Sequence, residues 1–393
     1  MNLFLFLGGI FLFTFLFGIL LEKIKIPWIF AALILGFGTA FYNPFLNLTS
    51  SQTFKFLAWL GMYFLLFLIG FELNLEKIKK LGKFIIAFTL FIIFFEAIFG
   101  SLLIHFVFGY PWFVSILVAL SFATVGEAVL IPILEKFKLT KTKLAQTILG
   151  MATLDDIIEV LIIILLVMLL PIWIGGKEKI GFEIGDILII FFSLFSLFLF
   201  AFGVVKLKEK ISRMRVKEIE AIFILILAIF FLFVGLGKFG EAGAIGAILS
   251  GLVVKNFLPK ERILAIESEI KTLSFAFFGP VFFFWVGKDI NVNYLISAPF
   301  LVFLVILVSY SSKILASFLI GRKKFGKKAS LFMGTALGVR FSTSIVIVKF
   351  LFEKGLIGSQ LYSVLIGATF ALTFIIPFLL SFLITKWKLV PPS

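Results

Sequence analysis

Two adjacent aspartates, Asp155 and Asp156, lie inside the apolar segment 144–172. A carboxylate in the hydrocarbon core of a membrane is costly, so an acidic residue at this depth marks a functional site by default. Adjacent positions of an α-helix point about 100° apart, which prevents the two carboxylates from facing each other as an aspartic-protease dyad requires. The pair therefore indicates two separate roles: one carboxylate faces a cavity and holds a cation or a proton, and its neighbour takes a basic partner.

Acidic side chains of this kind suit the exchange of a proton for a metal ion. Desolvation raises the pKa of a carboxylate and a nearby cation lowers it, so a group between the two effects can bind either species near physiological pH. Hard oxygen ligands favour a small cation such as Na⁺ or Li⁺, with hydroxyls or unwound carbonyls completing the shell. The alternative is that both aspartates cap a buried helix end or pair structurally, although the segment continues as apolar helix through 157–170.

Lys313 is the predicted basic partner of the aspartates. It follows the polar run 309–312 in another apolar segment, 294–320, at a depth close to theirs. The alternative is a lysine whose long stem lets the ammonium reach the lipid headgroups. Lys288 is a weaker rival because it lies almost at the end of its apolar segment.

The composition shows what must surround these charges. Of the 393 residues, 62% are hydrophobic, 57 are Phe and only 15% are charged, which indicates a polytopic, all-α membrane protein. The absence of Cys excludes disulfides and thiol chemistry, and the single His105 excludes a multi-histidine metal centre. The N-terminal segment 1–21 lacks a basic stretch before its apolar run and a small-residue cleavage site, so we interpret it as a retained helix.

A membrane span needs about 20 apolar residues, and the sequence contains about thirteen such segments. They are 2–21, 26–43, 53–75, 84–109, 111–134, 144–172, 184–205, 218–237, 240–256, 270–290, 294–320, 329–352 and 359–385. If the N-terminus lies outside, 27 of the 36 Lys and Arg residues belong to the inward loops and the C-terminal tail. This asymmetry places the C-terminus in the cytoplasm and accounts for the net charge of +15 without a nucleic-acid partner.

Six predicted spans lie on either side of the seventh, so counterparts in the two halves run in opposite directions through the bilayer. That arrangement predicts an inverted-topology repeat, which places binding near the midplane at broken helices. The fifth and twelfth spans, which are counterparts, gather small and hydroxylated residues at 121–127 and 334–344. Each run carries one charge, Glu127 or Arg340, that could neutralise a half-helix end. The alternative is a small-residue packing seam with a membrane salt bridge.

The run 148–156 (ILGMATLDD) resembles the paired-aspartate helix of bacterial sodium/proton antiporters in the cation/proton antiporter superfamily, of the monovalent cation:proton antiporter-2 type. Four further stretches are similar to recurring segments of that family, in the same order. They are 26–38, 61–72 (GMYFLLFLIGFE), 240–251 (GEAGAIGAILSG) and 279–287 (GPVFFFWVG). The resemblance implies that Asp156 is the essential ion- and proton-binding carboxylate, that Asp155 pairs with Lys313, and that Thr124 lies at the first helix break beside the site.

The resemblance also implies an elevator-like movement of a transport core against a dimerisation domain, in a homodimer in the inner membrane. The implied parts are dimerisation helices 1–3 (1–83), core helices 4–6 (84–172), linker helix 7 (173–217), dimerisation helices 8–10 (218–292) and core helices 11–13 (293–393).

The chain departs from the family pattern at the second break. Many relatives carry Arg-Gly-Glu there, whereas this chain has Arg340 followed by Phe341 and Ser342, so the local acidic partner of the arginine is missing. We hypothesise that Glu127 supplies it from the first break. The run 338–345 is closer to the electrogenic, paired-aspartate branch.

Three further ionisable residues lie within spans. Glu159, one turn beyond Asp155, and Glu96, in the middle of the fourth span, are each either a second proton site or a structural acid. His105, near the outer end of the fourth span, is more simply a packing residue than a pH sensor.

The sequence therefore predicts a secondary antiporter that exchanges H⁺ for Na⁺ or Li⁺ and needs no cofactor or enzymatic activity. Paired aspartates favour electrogenic exchange, since an Asp155/Lys313 pair offers a second titratable site. The alternatives are a K⁺/H⁺ antiporter, a sodium-coupled solute symporter and a non-transporting sensor. The sequence leaves open the Na⁺ or K⁺ preference, the stoichiometry and the pH of activation.

Overall fold

The computed structural model describes residues 2–24, 26–73, 81–121, 124–175, 184–212, 219–239, 242–258, 263–340 and 342–387, and these ranges contain helices and no strands. Long apolar runs adopt helices because in lipid every backbone group must bond within its own segment. The helices are α1 Leu3–Lys23, α2 Phe30–Phe41, α3 Leu46–Thr49, α4 Gln52–Glu72, α5 Lys83–Phe108, α6 Trp112–Ser121, α7 Glu127–Lys136, α8 Lys143–Gly175, α9 Ile184–Ser212, α10 Ile219–Lys238, α11 Gly243–Phe257, α12 Ile263–Lys271, a π-helical segment Thr272–Phe278, α13 Gly279–Lys288, α14 Val292–Ser297, α15 Pro299–Phe325, α16 Lys327–Leu337, α17 Ser342–Glu353 and α18 Ser359–Trp387.

Within the described residues, seven helices are long and apolar enough to cross a membrane, and the bent pair α16–α17 would make an eighth. The all-helical, multi-pass architecture expected from the composition is therefore confirmed. Each of the thirteen predicted segments contains a helix, but several of these helices are short. The count of thirteen crossings and the inverted repeat remain predictions.

The chain divides into two compact units. One comprises Met1–Ser51, Asn74–Glu159 and Phe283–Ser393, and the other comprises Gln52–Leu73 and Val160–Phe282. The predicted division into dimerisation and transport parts remains a prediction.

In the second unit, α4 and α11 pack with their backbones in contact. A Cβ atom added to Gly70 would lie 2.0 Å from the carbonyl oxygen of Ile248, and one added to Gly251 would lie 2.1 Å from that of Phe67. Small residues allow this close approach, which is a common way for membrane helices to associate.

The first unit contains all the predicted site residues whose side chains are described. Its apolar core joins α5, α7, α8, α15, α16 and α18, with fully buried side chains such as Phe88, Ile148, Phe332 and Leu380. This packing holds the helices that carry the aspartates, the lysine and the arginine against one another.

Both spans predicted to be broken are interrupted in the structure. The helix α6 ends at Ser121 and α7 begins at Glu127, while α16 ends at Leu337 and α17 begins at Ser342 after a bend of 47°. Such breaks expose backbone groups that a continuous helix would bond internally. They are the structural basis of the candidate site.

Candidate functional site

The two helix breaks contact each other directly. The backbone N–H of Gly126 donates to the carbonyl oxygen of Val339 over 2.9 Å, so each break satisfies a backbone group of the other. Beside this bond, the hydroxyls of Thr124 and Ser344 are hydrogen-bonded. The site is therefore built where the two unwound segments cross.

Thr124 also presents its backbone carbonyl to two cations. This oxygen accepts from Nζ of Lys313 and from Nη1 of Arg340, each over 3.3 Å. It lies just beyond the C-terminal end of α6, where orphan carbonyls carry partial negative charge. The helix break thus leaves a backbone carbonyl oxygen available to accept hydrogen bonds from two buried cations.

Lys313 lies at the centre of the cluster and is fully buried. Its Nζ donates to the carbonyl oxygen of Leu337, the last residue of α16, over 2.7 Å, so the ammonium caps that helix end. The helices α15 and α16 approach closely at this level, because a Cβ on Gly334 would lie 2.6 Å from Cα of Ile314. The glycine brings the lysine within reach of the second break.

Glu96 on α5 pairs with both cations. Its Oε1 lies 2.7 Å from Nη2 of Arg340, and its Oε2 lies 3.4 Å from Nζ of Lys313. The hydroxyl of Ser309 donates to Oε1 over 2.6 Å and accepts from Nη2 of Arg340. Each of the three ionised side chains is 1% exposed, so the ion pairs are shielded from water.

Asp155 completes the cluster from α8. It is 3% exposed, lies within electrostatic reach of Lys313, Glu96 and Arg340, and accepts a hydrogen bond from the backbone of Val125. With Asp155 ionised, two cations face two carboxylates among the described side chains. A buried net charge is unfavourable, so Lys313 and Arg340 favour the ionised form of Asp155 while its burial opposes that form.

One oxygen of Asp155, Oδ2, is buried and has no hydrogen-bond partner in the described part of the chain. The Asp155 side chain also lines a small cavity, together with Lys313, Thr89, Ile92, Ile93, Val125, Met151 and Leu337. An unsatisfied carboxylate oxygen in a cavity is a position at which a proton or a cation gains a ligand. Asp156, the next residue on α8, is only partly buried, so the two aspartates do occupy different surroundings.

A second small cavity adjoins Glu96. Its lining consists of Glu96, Gly100, Leu103, Ile104, Val118, Ala119, Val305, Val308, Ser309 and Leu365. Along α5, the Asp155 cavity contacts Thr89 to Ile93 and this cavity contacts Gly100 to Ile104, with Glu96 between them. The charged cluster therefore separates two cavities that follow one helix.

The structure brings together five of the predicted site residues, Asp155, Thr124, Lys313, Arg340 and Glu96. Of the remaining predicted residues, Asp156 is partly buried, and Ser342 begins α17 and is buried. The side chains of Glu127 and Glu159 lie outside the described residues, so the hypothesis that Glu127 pairs with Arg340 stays a prediction, although Glu96 already supplies a carboxylate to that arginine.

Two residues considered as alternatives have other partners. Lys288 pairs with Asp289, and Nδ1 of His105 lies 2.7 Å from the carbonyl oxygen of Tyr110, with its ring stacked on Trp112. Ser309 and Ser344 are participants that the sequence reasoning did not single out. The spacing of Ser309, four residues before Lys313 and hence on the same helix face, is the signal that could have identified it.

Comparisons with known proteins agree on one family. The sequence profile described as "Sodium/hydrogen exchanger, transmembrane" matches residues 11–386. The chain is 27% identical over 349 residues to "Probable Na(+)/H(+) antiporter 3" of Methanocaldococcus jannaschii, covering 87% of each chain. It is 27% identical over 347 residues to "K(+)/H(+) antiporter subunit KhtU" of Bacillus subtilis, covering 86% of this chain and 83% of that one.

A solved structure shares the fold. The sodium proton antiporter MjNhaP1 from Methanocaldococcus jannaschii, determined at pH 8, superposes with a TM-score of 0.61 over 98% of this chain and 96% of that chain, at 19% sequence identity.

Proposed function

This chain belongs to the sodium/hydrogen exchanger family, and from that membership we propose that it is a secondary antiporter that exchanges H⁺ for Na⁺ or Li⁺ across the membrane. The observation that carries the proposal is the buried Oδ2 of Asp155, which has no hydrogen-bond partner in the described residues and belongs to a side chain that lines a cavity. Family relatives described as Na⁺/H⁺ antiporters, including one from Enterococcus hirae at 25% identity over 317 residues, support the choice of ions.

Exchange follows from competition for the same carboxylate oxygens. A proton on Asp156 or Asp155 occupies the lone pairs that a Na⁺ ion would need, so loading one species releases the other. Asp156, which is more exposed than Asp155, receives the ion first. Hydroxyls and unwound carbonyls at the crossing, such as those of Thr124, are available to complete an oxygen shell.

Lys313 supplies a charge that competes with the transported cation. When Na⁺ binds at the aspartates, the ammonium no longer has to balance Asp155, and Glu96 is present as its other carboxylate 3.4 Å away. A proton on Asp155 neutralises the same carboxylate, so Na⁺ and H⁺ are alternatives there. An Asp155/Lys313 pair thus gives a second titratable site, which favours electrogenic exchange of two protons for each cation.

Alternating access requires that the ion site open first to one side and then to the other. The two cavities on either side of the charged cluster support this cycle. We assign the movement to helices of the predicted core, 84–172 and 293–393, against the predicted dimerisation helices of a homodimer. The protein would lie in the inner membrane with its N-terminus outside and its C-terminus in the cytoplasm.

K⁺/H⁺ exchange is the second candidate, and the similarity to the KhtU subunit favours it. The pair of carboxylates and the hydroxyls do not by themselves select between Na⁺ and the larger K⁺.

The deciding experiment follows dequenching of a pH-sensitive dye in proteoliposomes with an imposed pH gradient, while Na⁺, Li⁺ or K⁺ is added in turn. We expect Na⁺ and Li⁺ to cause dequenching that Asp156→Asn abolishes. Glu22→Gln, which neutralises an exposed carboxylate at the end of α1, is the matched control and should retain exchange. No response to any of the three ions from folded protein would overturn the proposal, and a response to K⁺ alone would establish the second candidate.

A further inference from the structure

A second buried cluster of charges lies at the far end of α17 from the candidate site. Lys349 is fully buried, and its Nζ pairs with Asp289 and, over 2.7 Å, with Glu353. Asp289 follows α13 and also pairs with Lys288. Nothing in the proposed exchange at the aspartates uses this lysine.

Aromatic rings enclose the ammonium of Lys349. Its Nζ lies 3.9 Å from the ring centroid of Trp285, 5.0 Å from that of Phe352 and 5.4 Å from that of Tyr362. A desolvated ammonium gains from the negative faces of such rings. The hydroxyl of Tyr362 donates to the carbonyl oxygen of Val286 over 2.7 Å, which fixes the ring against α13.

The helix α13 has two contrasting contacts in this unit. On the side of α2, Gly36 and Gly287 allow backbone contact, since a Cβ at either position would lie within 2.2 Å of a carbonyl oxygen of the other helix. On the side of α17, the side chain of Lys349 contacts Trp285 and Asp289. The contact with α2 is made by closely packed backbones. The contact with α17 is made by the Lys349 side chain, so it can separate when that side chain rotates.

The ionic contact can also be hydrated when it opens. The side chains of Asp289 and Glu353 are 19% and 22% exposed, so water reaches their outer edges, whereas Lys349 is 0% exposed. Separation of α17 from α13 would take Asp289 away from Lys349, whereas Glu353, on the same helix as the lysine, would stay beside the ammonium. The buried lysine would therefore keep one carboxylate partner when the contact opens.

The position of Lys349 connects this contact to the ion site. The helix α17 begins at Ser342, just after the second break, and its first turn contributes Ser344 to the contact with Thr124. Its last two turns contribute Lys349 and Glu353 to the charged cluster. A rigid half-helix that is fixed at this end cannot shift at the crossing.

We propose that Lys349 is a positioning residue of the transport cycle: its ion pair with Asp289 closes the outer face by holding α17 on α13 and opens when the ion site turns outward, while Glu353, four residues further along α17, keeps the ammonium paired. This inference rests on the proposed exchange and on the predicted orientation, which places this end of α17 outside. Glu353 moves with Lys349 on α17, whereas Asp289 stays beside α13. We call the ion pair between Lys349 and Asp289 the latch.

The absence of Cys from the chain allows a direct test. Leu103→Cys introduces a single thiol in the cavity beside Glu96, in the half of α5 predicted to be outer. Its rate of reaction with a membrane-impermeant maleimide is measured from each side, in right-side-out and inside-out vesicles. Lys349→Met is added to break the latch, Lys349→Arg to conserve the charge, and Lys354→Met to remove a neighbouring lysine as the matched control.

We expect Lys349→Met to raise the outside labelling rate by about threefold or more, as a shift of the conformational population would. Lys349→Arg should return the rate towards that of the parent, and Lys354→Met should leave it unchanged. The apparent KM for Na⁺ should fall on the outside and rise on the inside in Lys349→Met, a split that simple loss of stability would not produce.

Parent-like labelling in folded Lys349→Met would overturn the inference. If that variant does not yield monodisperse protein, Asp289→Asn, which leaves Glu353 beside the lysine, is labelled in its place. Parent-like labelling of folded Asp289→Asn would then overturn the inference. Labelling requires no ion gradient. A parent protein that lacks exchange would therefore refute the proposed function, and the labelling rates of parent and variants could still be compared.

Discussion

Glu96 and Arg340, which are 244 positions apart in the sequence, form a buried ion pair with Oε1 and Nη2 separated by 2.7 Å. The pair joins the middle of α5 to the second helix break. It also gives Arg340 an acidic partner from another helix, since the residues that follow it, Phe341 and Ser342, carry no charge.

Neutralising Glu96 should destabilise the protein strongly. Glu96→Gln leaves Arg340 and Lys313 buried with one carboxylate fewer, and removal of one member of a buried ion pair costs about 3–5 kcal/mol. Thermal unfolding of the detergent-purified variant, followed by fluorescence, should show a clear fall in Tm. Glu220→Gln, at an exposed acid in the first turn of α10, should leave Tm unchanged; an equal Tm for Glu96→Gln would contradict the assignment.

Asp155 and Lys313 should be energetically coupled although they belong to different helices. Asp155→Asn leaves one excess buried positive charge and Lys313→Met one excess negative charge, whereas the double variant is balanced again. The effects on the free energy of unfolding should therefore be non-additive, with an interaction energy of about 1–3 kcal/mol. A double-mutant cycle in denaturant measures this quantity, and strict additivity would show that the two charges do not act on each other.

Gly334 should tolerate no side chain. In Gly334→Ala, the new Cβ would meet Cα of Ile314 at 2.6 Å and the carbonyl oxygen of Lys313 at 3.0 Å, so α15 and α16 must separate. We expect a loss of about 1–3 kcal/mol of stability and a large loss of exchange, because the lysine moves away from Leu337. Gly8→Ala, where no atom lies within 4 Å of the added Cβ, is the matched control. Equal exchange rates in the two variants would argue against this packing.

The cluster around Asp289 should make stability depend on acid pH. Burial raises the pKa of Asp289, but the ammonium groups of Lys349 and Lys288 outweigh it and hold the pKa below its usual range. A folded-state pKa below the unfolded value of about 4 means that the contribution to stability is present above that pH and is lost as the pH falls through the folded-state pKa.

The Tm of the parent, measured between neutral pH and pH 3, should therefore fall more steeply than that of Asp289→Asn, and the two curves should converge at the acid end. Parallel curves over the whole range would contradict the pairing. Lys354→Met serves as the control here too, since its curve should follow the parent's.

The sequence predicts the helix breaks well because their signal is local. Glycine and hydroxylated residues gather at 121–127 and 334–344, and these residue types weaken a helix wherever they occur. The aspartate pair and Lys313 are likewise visible as charges in apolar segments.

The partner of Arg340 could not be predicted in the same way. The helix α5 is apolar on all its faces, so hydrophobic periodicity does not tell which way Glu96 points. Glu127 was the natural candidate because it lies in the other break, whereas the contact with Glu96 depends on the packing of α5 against α15. Lys349 was hidden for a related reason: a lysine near the end of a span is expected to reach water, and only the tertiary structure reveals that its ammonium is enclosed.

The bond between the two breaks has a consequence for biogenesis. Thr124 and Gly126 find their partners in Ser344 and Val339, and Ser344 is synthesised 220 positions after Thr124. During insertion, the first break therefore lacks these partners until Val339 and Ser344 have been synthesised. The nascent N-terminal half carries a helix interruption whose hydrogen bonds can be completed only when the second break joins it.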